Sequence, residues 1–152
     1  MSEKASDGGI DPWVWGAEES RPRFLHTMVR VQDFERALRF YVDGLGMKVL
    51  DRFTLEARRV TAMFIGFGDY RTGGLLELTH NWDAQEPYSH GSGYGHISIG
   101  VPDLEGIVAK LAEMGVPVTL QPTRYFPEGP EIAFVKDPDG YAIELIQTRR
   151  KS

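Results

Sequence analysis

The chain has 152 residues, a formal net charge of −5 and no cysteine. That length holds one full-sized domain or two small modules sharing a core, and the acidic balance without a long Lys/Arg run argues against a nucleic-acid partner. Without cysteine there are no disulfides, thiolate nucleophiles or Cys-held zinc, so any metal must be bound by His, Asp, Glu or backbone oxygen.

Residues 1–22 read as an N-terminal arm, acidic and Gly-rich, with Trp13, Val14 and Trp15 set among polar neighbours. The tryptophans either pack onto something, such as a partner subunit, or belong to an unstructured tail. No basic segment leads into an apolar one as in a signal peptide, and no apolar run is long enough to span a bilayer. A cytoplasmic protein without membrane contact is therefore expected.

From residue 23 to 152 the order is regular, and we expect a single α+β domain of two modules, about 23–82 and 93–150. FLHTMVRV reads as a strand with Leu25, Thr27 and Val29 on one face and His26, Met28 and Arg30 on the other. Asp33 then caps a helix whose apolar residues Phe34, Ala37, Leu38, Tyr41 and Leu45 fall at helical spacing, with Gly44 and Gly46 ending it. MKVLDRFTL, VTAMFIGFG and LLELTHN follow as three strands. The second half repeats this plan. GHISIGV is a strand, Asp103 caps a helix with Leu104, Ile107, Val108 and Leu111 on its apolar face, and Gly115 ends it. VPVTL, EIAFVKD and YAIELIQ are three further strands.

Laid over each other, the halves match with a one-residue gap before the glycine. His26 falls on His96, Phe64 on Phe134 and Glu77 on Glu144. Two βαβββ modules of this kind would form a curled mixed sheet around a cleft, with the helices outside. Glu77 draws attention because it interrupts an apolar strand, where an unpaired carboxylate is costly to bury. A lone His or Glu in a strand is ordinarily a surface residue. The repeat, however, puts one of each in the same places twice. His26, Glu77, His96 and Glu144 thus make a set suited to a divalent Zn, Ni, Co, Fe or Mn ion. Arg30 and Asn81 lie four residues beyond His26 and Glu77 and share their faces, as expected for contacts to an anionic, amide-bearing ligand; the other reading of Arg30 is an ion pair with Asp33 or Glu35. His80 and His90 lack repeat partners and read as surface or pocket-lining residues, and DPDG at 137–140 as a tight turn.

The segments LHTMVRV, RFYVDGLGMKVL, LLELTHNW, GYGHISIGV and IAFVKDPDGYAIELI resemble, in this order, glyoxalase I, the lactoylglutathione lyases of the vicinal-oxygen-chelate superfamily. The resemblance implies a homodimer with sites at the interface, each taking His26 and Glu77 from one subunit and His96 and Glu144 from the other. It implies a divalent metal, with nickel or cobalt favoured over zinc because the first ligand is His26 and no long insertion precedes ELTHNW. The implied reaction converts the methylglyoxal–glutathione hemithioacetal to S-D-lactoylglutathione through a metal-stabilised cis-enediolate, with glutathione as co-substrate. Glu144 would be the principal base, Glu77 its counterpart on the other face, and Arg30 and Asn81 would hold the glutathione γ-glutamyl end. QPTRYFPEGPE departs from the family, whose loop here is Gly- and Lys-rich. Arg124 is the substitute cation in this stretch, with Glu128 and Glu131 opposing it.

Two rivals share the fold. A ring-cleaving dioxygenase or thiol transferase would have three protein ligands rather than four. A metal-free binding protein would have lost the ligands.

Overall fold

In the structure, a computed structural model, residues 3–4, 22–70 and 73–150 are described. Most of the expected arm, including Trp13, Val14 and Trp15, lies outside the described residues. The chain divides into two compact units, 1–88 and 89–152.

The first unit contains β1 (Glu3–Lys4), β2 (His26–Arg30), α1 (Phe34–Leu38), β3 (Lys48–Leu55), β4 (Val60–Gly66) and β5 (Leu75–Asn81). Its sheet runs β1-β3-β4-β5-β2, with β2 and β5 parallel and the other pairs antiparallel. Asp33 caps α1, accepting from the Arg36 amide at 3.2 Å. The helix then loosens into a π-helical turn at Arg39–Gly44. A π turn absorbs one extra residue, and the first module has one more residue between its capping Asp and its terminating glycine than the second. The gap in the internal alignment thus has a physical location.

The second unit contains β6 (Ile97–Val101), α2 (Leu104–Glu113), β7 (Val118–Arg124), β8 (Glu131–Lys136) and β9 (Ala142–Gln147), in the order β6-β9-β8-β7. Again the outer pair, β6 and β9, is parallel. Asp103 caps α2 by accepting from the Gly106 amide at 3.1 Å. Gly46 and Gly115 follow the two helical segments with φ of 84° and 82°, a backbone region that suits glycine at a helix end. The α+β class and the repeated βαβββ plan expected from the sequence are therefore present.

Each sheet sorts its residues by alternation. In the second unit α2 packs on β7, β8 and β9. Leu104, Val108 and Leu111 are buried there, as are Ile99, Ala133, Val135, Ile143 and Leu145. Val29, Leu76, Leu78, Met63 and Ile65 are the corresponding buried set in the first unit, and Phe34 of α1 reaches the same side through an edge contact with His80. On the opposite side of the first sheet a second apolar cluster forms from Phe53, Ala62, Phe64, Tyr70 and Leu75. It is this side that carries Glu77.

One element differs from expectation. QPTR, read as the start of a loop, extends β7 to Arg124. Pro122 has no N–H to donate, which an edge strand tolerates, and β7 lies at the sheet edge with register shifts on both sides of Leu120. Among the described residues no helix is long and apolar enough to cross a membrane.

Candidate metal centre

The same three residue types come together in each unit, for the same reason. β2 is parallel to β5, with Met28 opposite Glu77, and β4 places Phe64 opposite Glu77 from the other side. His26 stands two residues before Met28 and shares its face. The result is a His26 Nε2 to Glu77 Oε2 distance of 3.1 Å, with the imidazole standing edge-on to Phe64 at 5.1 Å and 76°. In the second unit Ser98 and Phe134 flank Glu144 in the same way. His96 Nε2 lies 3.7 Å from Glu144 Oε2, and its ring meets Phe134 at 5.2 Å and 82°.

Both carboxylates are largely withdrawn from water, their side chains 18% and 16% exposed, while the imidazoles stay more open at 33% and 44%. A half-buried carboxylate needs a cationic, donor or metal partner. Two donors each about 2.1 Å from one ion and at right angles to it stand about 3.0 Å apart. The first pair meets that spacing and the second comes close, so imidazole and carboxylate fit a shared divalent ion. Among the described residues no group of three or more His, Asp or Glu could hold a metal. Each unit offers one imidazole and one carboxylate.

The two carboxylates differ in their other oxygen. Glu144 Oε1 accepts from the Ser98 hydroxyl at 2.6 Å. Glu77 Oε1 accepts from the Thr79 hydroxyl at 3.4 Å, a long contact.

Arg30 pairs with Thr79 and Asn81 with Val60 on the face that carries Glu77, as their spacing predicts. Arg124 is not brought to Glu144. It sits opposite Glu131, whereas Ile132 and Phe134 are the β8 positions sharing the Glu144 face. Its Nη1 donates to the Pro127 carbonyl at 3.2 Å. With Glu128, Glu131, Gln147 and Arg149 it lines a cavity of about 450 Å³ on the other side of the sheet.

Supports for the second pair were not legible in the sequence. The Tyr94 hydroxyl donates to the Ala142 carbonyl at 2.9 Å, fixing the start of β9 just ahead of Glu144. Burial, aided by the Asp137 carboxylate, pushes the Tyr94 phenol up to about 12. His90 stacks on Tyr141 at 4.2 Å. DPDG is a tight turn, as expected, and its Asp137 carboxylate accepts from the amides of Asp139 and Tyr141, each at 2.9 Å. His80, the other unpaired histidine, has its Nδ1 3.2 Å from the Val31 carbonyl, on the helix side of its sheet.

The profile of the Glyoxalase/Bleomycin resistance protein/Dioxygenase superfamily matches residues 23–145. The chain belongs to this superfamily. Within it, the lactoylglutathione lyase of Neisseria meningitidis is 43% identical over 127 residues, covering 84% of this chain and 91% of its own. The trypanothione-dependent glyoxalase I of Leishmania major is 41% identical, with a TM-score of 0.75 over 84% of this chain and 87% of its own. Glyoxalase I of Zea mays is 34% identical, with a TM-score of 0.78 over 85% of this chain, which spans 46% of the maize chain.

Proposed function

We propose that the protein is a metal-dependent lactoylglutathione lyase, isomerising the methylglyoxal–glutathione hemithioacetal to S-D-lactoylglutathione. The observation that carries this reading is the twice-built arrangement of histidine, phenylalanine and glutamate, in a chain more than 40% identical to named lyases over most of its length. His26 and Glu77 of one chain and His96 and Glu144 of a second copy would hold the ion in a homodimer. Two donors per unit are too few for a divalent shell, so a site needs both pairs, and the resemblance to glyoxalase I draws them from two copies. Imidazole and carboxylate suit nickel, cobalt and zinc alike; the resemblance to glyoxalase I, with His26 as first ligand, favours nickel or cobalt. The cytoplasmic location expected from the sequence belongs to the same reading.

The reaction is an isomerisation that consumes and releases nothing. The C1–H bond breaks, a C2–H bond forms, and hydroxyl protons shift so that C1 becomes the thioester carbonyl and C2 the carbinol. A bound divalent cation supplies positive charge where negative charge develops on the substrate oxygens. The remaining work falls to the side chains. Glu144 takes the proton from C1 and returns it to C2, and Glu77 stands as its counterpart. Both are largely withdrawn from water, each beside an imidazole. The Arg30 guanidinium and the Asn81 amide would grip the γ-glutamyl end of the thiol. Arg124 would serve the glycyl end only if the 125–130 segment brought it round its sheet edge, so glutathione's second carboxylate is held less firmly.

The test is to strip the protein of metal and measure lactoylglutathione formation after adding nickel, cobalt or zinc separately. The stripped protein should be silent, and nickel or cobalt should restore turnover more fully than zinc. No activity with any of the three at full metal occupancy refutes the assignment. Glu144→Gln should bind metal and lose turnover by about 100- to 10,000-fold, the usual range for removing a general base. Undiminished turnover in that variant would remove Glu144 as the base.

A further inference from the structure

Ser98 has no place in the metal set or the substrate contacts, yet it makes the shortest side-chain contact to the base assigned above. Its hydroxyl lies 2.6 Å from Glu144 Oε1, a charge-assisted length. The bond follows from the parallel register, which sets Ser98 directly opposite Glu144 and leaves the hydroxyl no choice of face. The corresponding register position in the first unit is Met28 opposite Glu77, and a thioether has no proton to donate. The effect on the two carboxylates differs accordingly. Glu77 turns Oε2 to within 3.1 Å of His26, whereas Glu144, held through Oε1, leaves Oε2 3.7 Å from His96.

We propose that Ser98 is a positioning residue for Glu144. Its hydroxyl anchors one carboxylate oxygen, leaves the other turned towards His96, and keeps the carboxylate in place when that second oxygen gives up its partner to take a proton. Short in this pair, against the 3.4 Å reach of the Thr79 hydroxyl to Glu77 Oε1 in the other, the anchor makes the two carboxylates unequal before substrate arrives. This rests on the lyase reading for its kinetic half. Its structural half concerns the chain alone, since a hydrogen bond to a ligating carboxylate orients it for metal whatever the reaction.

The experiment compares wild type, Ser98→Ala and Ser98→Thr for nickel affinity of the stripped protein, by calorimetry, and for kcat and KM at saturating nickel. Loss of the anchor should weaken nickel binding about tenfold, at the low end for removing a group that orients a ligand. It should also lower kcat about 3- to 10-fold, the size expected when one hydrogen bond of ordinary net strength is lost, with KM within about twofold. Ser98→Thr, which keeps a hydroxyl and suits a strand, should restore both. An unchanged kcat in metal-saturated Ser98→Ala overturns the proposal, as does a threonine variant as impaired as the alanine. If wild type forms no lactoylglutathione, the lyase reading fails. The nickel-affinity comparison then decides the anchor, and equal affinities overturn it.

Discussion

At the scale of single residues, the decisive feature is a carboxylate in an apolar strand with an imidazole beside it. Glu77 and Glu144 each stand between a histidine on a parallel strand and a phenylalanine on an antiparallel one. The histidine and glutamate of each pair were legible in the sequence because the repeat printed them twice. Phe64 and Phe134 aligned as well, but an aromatic in a strand reads as core, and only the 5.1 and 5.2 Å ring contacts show that they brace the imidazoles. Ser98 and Tyr94 carried no signal, since neither has a repeat partner of its own type. Tyr94 makes a testable difference to stability at high pH. Its phenol titrates at about 12 in the fold against an ordinary 10.0. Between those values the unfolded chain gives up a proton that the folded chain keeps. The stabilisation from this group is therefore complete below pH 10 and drains away as pH rises through about 12. In Tyr94→Phe, the urea midpoint should fall less steeply between pH 10 and 12 than in wild type. Parallel curves would show that Tyr94 ionises alike in both states.

At the scale of elements, the chain obeys its local signals where the backbone alone decides and departs from them at edges. The capping aspartates and the terminating glycines were readable because each satisfies backbone groups within its own turn. Asp103 is the cleaner case, since α2 is a regular helix of ten residues. Asp103→Ala should cost about 1 kcal/mol, the usual loss for an N-cap, seen as a lower urea midpoint with an unchanged slope. An unaltered midpoint would mean that water replaces the carboxylate without loss. The π turn at Arg39–Gly44 was visible only as a gap in the repeat, because hydrophobic spacing does not distinguish an α from a π register over one turn. β7 ran past its expected end because Pro122 reads as a breaker, and nothing in its local sequence says that the strand lies at an edge. That extension fixes Arg124 on the face away from Glu144, a placement set by register rather than by composition.

For the whole molecule, the consequence of the repeat is one His/Glu pair in each unit, which the proposed function reads as half of a ligand set. The fold class and the two His/Glu pairs followed from the sequence; in the function proposed here a second copy of the chain joins one pair to the other. An isologous dimer makes two such sites from two chains. The most direct test uses two disabled versions of the protein, one carrying His26→Ala with Glu77→Ala and the other His96→Ala with Glu144→Ala. Each alone should form no lactoylglutathione in the presence of nickel. Mixed, dissociated and reassociated, they should recover about a quarter of wild-type activity, because half of the dimers are mixed and each of those keeps one intact site of two. Silence in a mixture shown to contain mixed dimers, or full activity in either version alone, would contradict a site built from the two pairs of different chains.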